Sequence, residues 1–127
     1  MNGIIYHGDV IEKIQEIDDG TVDCVVTSPP YWSLRDYGDS RQWGAEDHYH
    51  DYLIRLDSLM YEIRRVLKDT GTVWVNLGDI YSDGRTGLPA RKSRIGIPWR
   101  FYIRCIELGW IARNDIIWHK PNSIPSS

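Results

Sequence analysis

The sequence is poor in cysteine. Cys24 and Cys105 are the only two in 127 residues, and both sit in apolar segments. A lone pair at that spacing is no disulfide framework, so buried free thiols in a reducing cytoplasm are expected. No apolar run approaches the length of a membrane span, and the N-terminus lacks the basic and apolar regions of a signal peptide. Acidic residues are missing from one long stretch: from Arg85 to Arg104 there are six basic residues and no acid. The net charge of −3 means that the chain as a whole is not an electrostatic DNA binder. A hydrophobic share of 42% with 26% charged residues is ordinary for a soluble globular protein of one domain at most. A metal site is not expected. His48 and His50 stand near Glu46, Asp47 and Asp51, but two residues apart they face different sides of a helix.

What is present is organised around Thr27-Ser28-Pro29-Pro30-Tyr31-Trp32. This stretch follows Val22–Val26, an apolar run that reads as a buried strand. Two consecutive prolines continue neither a helix nor a central strand. The strand therefore stops near Ser28 and delivers a rigid turn at its carboxyl end, where open α/β sheets bind ligands. The turn's carbonyls and the Ser28 hydroxyl can accept hydrogen bonds, and Tyr31 and Trp32 supply flat apolar faces. That combination suits a planar ring carrying an amino group.

The rest of the chain reads as alternating elements. Gly3–His7 is expected as a strand closing at Gly8-Asp9, and Val10, Ile11, Ile14 and Ile17 fall at helical spacing with Asp9 as cap. Strand, helix and strand within about 30 residues make a βαβ unit with parallel strands. Ser33–Glu46 is a polar loop able to fold over the site, and its Trp43 either serves that site or packs back on the core. From about Ala45 to Lys68 the apolar residues Leu53, Leu56, Met60, Ile63 and Leu67 form a helical stripe stopped by Gly71. Thr72–Leu77 is the next strand, ended by Gly78-Asp79. Ser82–Gly96 is either a solvated connection or a phosphate-contacting loop, through Arg85, Arg91, Lys92 and Arg94. Pro98 starts a largely apolar, well-buried helix closed by Gly109. Trp110–Arg113 and Asp115–His119 read as an antiparallel hairpin.

Ser28-Pro29-Pro30-Tyr31 resembles the catalytic motif of the DNA amino-methyltransferases. These enzymes move a methyl group from S-adenosylmethionine to the exocyclic amine of cytosine (N4) or adenine (N6). Their motif begins with Ser, Asp or Asn, and Ser is typical of the N4-cytosine branch. Other segments match in order. Gly8-Asp9 ends the strand before the catalytic one, and Thr72–Asp79 is similar to the strand beside it. Pro98-Trp99-Arg100 with Gly109-Trp110 stands at the penultimate helix and strand, and Ile116–Asn122 resembles the late motif.

The resemblance implies an incomplete Rossmann-like, S-adenosylmethionine-dependent methyltransferase fold of α/β class, mostly parallel with a C-terminal hairpin. It implies catalytic roles for Ser28, Pro29, Pro30 and Tyr31, and cofactor contacts at Asp9 and Ser28. Trp32, Trp43, Trp118 and Lys120 would border the target base, with Arg91, Lys92 and Arg94 on the DNA. The expected setting is a restriction-modification protein in the cytoplasm of a bacterium or archaeon, or one encoded by a phage. Cytosine N4 is the expected target, with adenine N6 as the alternative.

The family's glycine-rich cofactor loop, Phe-x-Gly-x-Gly, is absent; Gly84 and Gly87 lie in the basic loop instead. In the subclass with this motif order, that loop follows a target-recognition region. Residues 1–127 thus resemble one partial catalytic domain, the first half of a permuted methyltransferase. A split-gene subunit, a mobile-element remnant or an engineered fragment all fit. Alone, the chain is expected to bind S-adenosylmethionine weakly or not at all and to be inactive without a complementing half. The alternative is a non-catalytic remnant that folds and binds nucleic acid. In the family, two strands from the other half separate the Asp9 strand from the catalytic one, so an open sheet edge is expected here. A partner half, a homodimer, or direct pairing of Gly3–His7 with Val22–Thr27 would each close it. Association, most simply a homodimer, is the expected outcome.

Overall fold

The computed structural model describes residues 3–122. Asp9 opens the first element: its backbone is extended and its carboxylate accepts from the Ile11 N–H at 2.8 Å. It thereby caps α1 (Val10–Lys13), which tightens into one 3₁₀ turn at Ile14–Glu16. The chain then runs through β1 (Val22–Thr27), α2 (Tyr49–Val66), β2 (Leu67–Val75) and α3 (Ile97–Glu107).

β1 and β2 pair in parallel, with Val25 opposite Val73 and Thr27 opposite Val75. Parallel strands need a crossover, and α2 supplies it. The register breaks between the Val22–Leu67 and Cys24–Thr72 pairs. Gly71 lies in that irregular stretch rather than stopping α2, which already ends at Val66. His48, not Ala45, begins α2: its Nδ1 accepts from the His50 N–H at 3.2 Å, and its Nε2 lies 2.9 Å from the Gly87 carbonyl. These contacts fit the neutral ring protonated on Nε2.

Tyr52, Leu53, Leu56, Leu59, Met60, Ile63 and Val66 form the buried stripe of α2. Ile14, Trp32, Phe101 and Cys105 close over it from the neighbouring elements. Each such aliphatic side chain contributes about 1.5–3 kcal/mol on burial. Polar ties align the helices: Arg104 of α3 pairs with Asp57 of α2. Arg64 donates to the Leu108 carbonyl at 2.7 Å, satisfying the C-terminal end of α3. Burial, and behind it the Asp57 charge, pushes the Cys105 thiol up to about 12. That thiol is inert at neutral pH.

Several expectations need correction. Residues 3–7 form no strand, and Ile4 and Ile5 are exposed. Residues 110–122 form no hairpin, and Ile111, Ile116, Ile117 and Trp118 are exposed. Among the described residues the sheet has two strands only, so β1 keeps an open edge and the first segment has not moved in to fill it. A strand persists only as part of a ladder, and these segments have no partner. α3 is buried on one stripe only; Trp99, Ile103 and Ile106 face outward. Cys24 is likewise exposed, because one side of β1 is uncovered.

Candidate active site and nucleic-acid interface

The Ser-Pro-Pro-Tyr turn sits at the carboxyl end of β1. Asn76 extends the β2 pairing one step by donating to the Thr27 carbonyl at 2.9 Å. Ser28 is exposed, Pro29 buried and Tyr31 half-buried. The Ser28 hydroxyl reaches the Tyr31 hydroxyl at 3.5 Å, the long limit of a hydrogen bond.

Trp32 anchors the turn from inside. It is 1% exposed, donates from Nε1 to the Glu46 carbonyl at 2.8 Å and meets Tyr49 edge-on at 6.0 Å. Its ring therefore belongs to the core and offers no face to a base, which corrects the role expected for it. Trp43 also packs back: it is half-buried against the core, with the Arg55 guanidinium 5.9 Å above its ring. The loop after the turn is tied down. Ser33 donates to the Gly44 carbonyl at 2.6 Å, and Gly44 donates to Glu46 Oε2 at 2.9 Å. Glu46 Oε1 lies 3.1 Å from Arg55 Nη1, an ion pair without hydrogen-bond geometry. Tyr52 is wholly buried and its hydroxyl has no partner among the described residues. Burial first, then the charge of Glu46, raises that hydroxyl far above the ordinary tyrosine range, so it stays protonated.

Tyr31 opens onto a cleft of about 600 Å³. Asn76, Gly78 and Asp79 from the end of β2 form one wall, and Pro98, Trp99 and Tyr102 of α3 form another. Arg94, Asp115, Ile116, Ile117, Trp118 and Lys120 complete it. The structure thus brings Tyr31, Trp118, Lys120 and Arg94 together. Asp9 is not among the lining residues; it is exposed on α1 and spends a carboxylate oxygen on its own helix. Trp99 and Tyr102 belong to the helix whose composition predicts full burial, yet both line the cleft. Their outward position follows from the α3 stripe of Ile97, Phe101 and Cys105, which turns the flanking aromatics into the cleft.

Arg94 is less available than its sequence neighbours implied. Its Nε lies 3.2 Å from Asp79 Oδ2, and its guanidinium stacks 4.9 Å above Trp99. Arg85 pairs with Asp83 at 3.0 Å. Arg91 and Lys92 are exposed and have no ion-pair partner among the described residues. They stand on an ordered loop. The buried Ser82 hydroxyl donates to the Pro89 carbonyl at 2.6 Å and accepts from the Gly84 N–H at 3.0 Å. Its backbone carbonyl accepts from Lys92 at 2.8 Å. Lys92 itself adopts a left-handed φ of 70°, a conformation that the loop must hold in place.

A cleft that sets the aromatic rings of Tyr31, Trp99, Tyr102 and Trp118 beside Arg94 and Lys120, with Asp79 and Asp115 also in its lining, suits a planar ring with polar groups at its edge. Residues 22–127 match the family described as DNA methylase. The chain belongs to the DNA methylase family. The matched region takes in the Ser-Pro-Pro-Tyr turn, the cleft and the basic loop, but not Asp9.

Two Type II methyltransferases show the extent of the likeness. The chain is 42% identical to the Type II methyltransferase M.Cfr9I of Citrobacter freundii, over 100% of this chain and 50% of that protein. It is 46% identical to the Type II methyltransferase M.SmaI of Serratia marcescens, over 94% of this chain and 48% of that protein. The chain therefore spans about half the length of the curated relatives it matches. Among solved structures, the cytosine-N4-specific PvuII DNA methyltransferase has a similar fold. The TM-score is 0.57 at 24% identity, over 80% of this chain and 32% of the other. That likeness supports the α/β architecture and its small parallel sheet.

Proposed function

We propose that this DNA methylase chain is the catalytic part of an enzyme that methylates cytosine N4 in DNA. Adenine N6 is the runner-up target, because a leading Ser does not exclude it. The observation that carries the reading is the placement of Tyr31, the last residue of the Ser-Pro-Pro-Tyr turn, in an aromatic cleft that also holds Arg94 and Lys120. In this reading the chain is one partial Rossmann-like domain of a cytoplasmic protein. It works with a complementing half, or with a second copy of itself, docked along the open edge of β1. Arg91 and Lys92 meet backbone phosphates.

The chemistry follows from the residue types. A cytosine amine is a weak nucleophile because its lone pair is delocalised into the ring. Ser28 Oγ and the Pro29 carbonyl accept the amine N–H bonds and favour the pyramidal nitrogen that attack requires. The new N–C bond forms as the donor's S–C bond breaks and the donor leaves as a neutral thioether, while the surplus amine proton passes by way of the solvent-exposed Ser28 hydroxyl to water. The base must leave the duplex at a cost of a few kcal/mol, and stacking on Tyr31 returns about 1–3 kcal/mol. S-adenosylmethionine supplies the methyl group when bound. Asp9 keeps one carboxylate oxygen for its adenine end, since Oδ1 is used in capping. No residue run here supplies the glycine-rich loop for its methionine end.

Two results are expected. The chain is combined with the C-terminal half of a relative such as M.Cfr9I and given labelled cofactor and DNA, and the DNA is then digested to nucleosides. N4-methylcytosine should appear; N6-methyladenine alone would sink the cytosine assignment, and no methylated base would favour the non-catalytic reading. In the same mixture, Tyr31→Ala should slow turnover about 5- to 150-fold, the equivalent of the lost stacking. Ser28→Ala should also act on turnover more than on cofactor binding. Secondly, calorimetry on the chain alone should detect little or no S-adenosylmethionine binding. A micromolar dissociation constant would contradict the cofactor assignment.

A further inference from the structure

Two glycines press on Tyr31 from different parts of the chain, and neither belongs to the Ser-Pro-Pro-Tyr turn. A Cβ on Gly44 would stand 2.6 Å from the Tyr31 carbonyl oxygen and 3.2 Å from that of Pro30. Gly44 also has a φ of 86°, so both its conformation and its closeness to backbone demand glycine. Gly78 is different. A Cβ there would stand 2.6 Å from Tyr31 Cδ2 and 2.7 Å from Cε2, so the ring edge lies directly against the backbone after β2. Gly78 is not among the glycines with positive φ, and its backbone would accept alanine.

The two contacts divide the work. Gly44 lies against the backbone of the turn, whereas Gly78 lies against the ring. The three atoms nearest to an added methyl at residue 78 all belong to the ring of Tyr31, a half-buried side chain that also lines the cleft. The cheapest escape is for the ring to swing into that cleft, leaving the sheet and the core as they are. The same ring is the surface on which, in the function proposed above, the target base stacks.

We infer that Gly78 is a positioning residue: the absence of its side chain makes the seat that holds the Tyr31 ring against one wall and keeps the cleft open in front of it. The inference rests on the proposed stacking role of Tyr31, and its test separates the seat from that role. The full chain is labelled with 3-fluorotyrosine, and the Tyr31 line is identified among the eight tyrosines by its loss in Tyr31→Phe. In Gly78→Ala the Tyr31 fluorine line should shift, while the lines of Tyr49 and Tyr52 in the core should stay. A cytosine-containing single-stranded oligonucleotide should shift the Tyr31 line in the wild type, and this response should be lost in the variant. An unmoved Tyr31 line in Gly78→Ala would overturn the seat. Movement of all the tyrosine lines together would overturn it too, by showing a general role in folding. A wild-type Tyr31 line that ignores the oligonucleotide would instead overturn the stacking reading, and with it the functional purpose of the seat. The comparison without DNA would still report whether the seat exists.

Discussion

Replacing Trp32 with alanine should cost the chain about 3–5 kcal/mol of stability, the range for deleting a large buried aromatic. Trp32 is one of the largest fully buried side chains, and it fills the space between the Ser-Pro-Pro-Tyr turn and the start of α2. Its removal also orphans the Glu46 carbonyl, which accepts the indole N–H at 2.8 Å. Trp32→Phe keeps most of the apolar volume but loses that bond, so its cost should be smaller, about 1–3 kcal/mol. Denaturant unfolding of the three proteins measures both values. The order of effects separates two roles for this residue. A base-stacking tryptophan would weaken DNA contact and leave unfolding almost unchanged, and a Trp32→Ala midpoint equal to wild type would return Trp32 to the cleft. The expected loss of stability extends to the site, because Ser28 to Tyr31 lie directly before the anchor.

The contrast between Trp32 and Tyr31 shows what local sequence could reveal. Both are aromatic, adjacent and next to a proline pair, and nothing in their spacing says which turns inward. The answer depends on Glu46 and Tyr49, more than a dozen residues later. β1, α2 and the start of α3 were legible because their signals are local: an apolar run, a stripe at helical spacing, a proline in the first turn. Residues 3–7 and 110–119 carry equally good strand composition, yet form no strand, because pairing depends on a neighbour that composition does not describe. The burial of α3 failed for a related reason. Apolar residues surround the helix, but only the stripe facing α2 finds something to cover it. Of the candidate residues singled out in the sequence, Tyr31, Trp118, Lys120 and Arg94 come together in one cleft. Trp99 and Tyr102 also line that cleft, and their place there depends on contacts across the fold that local sequence does not describe. Arg94 was misjudged in the same way: no acid is near it in sequence, but Asp79 is near it in space.

Asp79 carries the second large expected effect, because one nearly buried carboxylate does two jobs. Its side chain is 1% exposed. Oδ1 accepts from the N–H groups of Gly96 at 2.9 Å and Ile97 at 3.0 Å, where α3 begins. Gly96 has no side chain with which to cap that helix, and Pro98 has no N–H, so Asp79 acts as a cap brought in from the end of β2. Its charge also suits the positive end of the helix dipole. Asp79→Ala leaves two donors without their acceptor, at about 1–3 kcal/mol each. A total of about 2–6 kcal/mol is expected by denaturant unfolding. Asp79→Asn keeps an acceptor but not the charge, and should fall between alanine and wild type. Arg94→Ala should cost about 0–1 kcal/mol, because the arginine is more than half exposed and its pair with Asp79 is screened by water. The carboxylate keeps its two backbone donors in that variant. If Arg94→Ala proved as damaging as Asp79→Ala, the ion pair rather than the helix cap would be what fixes α3, and the aromatic wall of Trp99 and Tyr102 would be held from the cleft side instead of from the sheet.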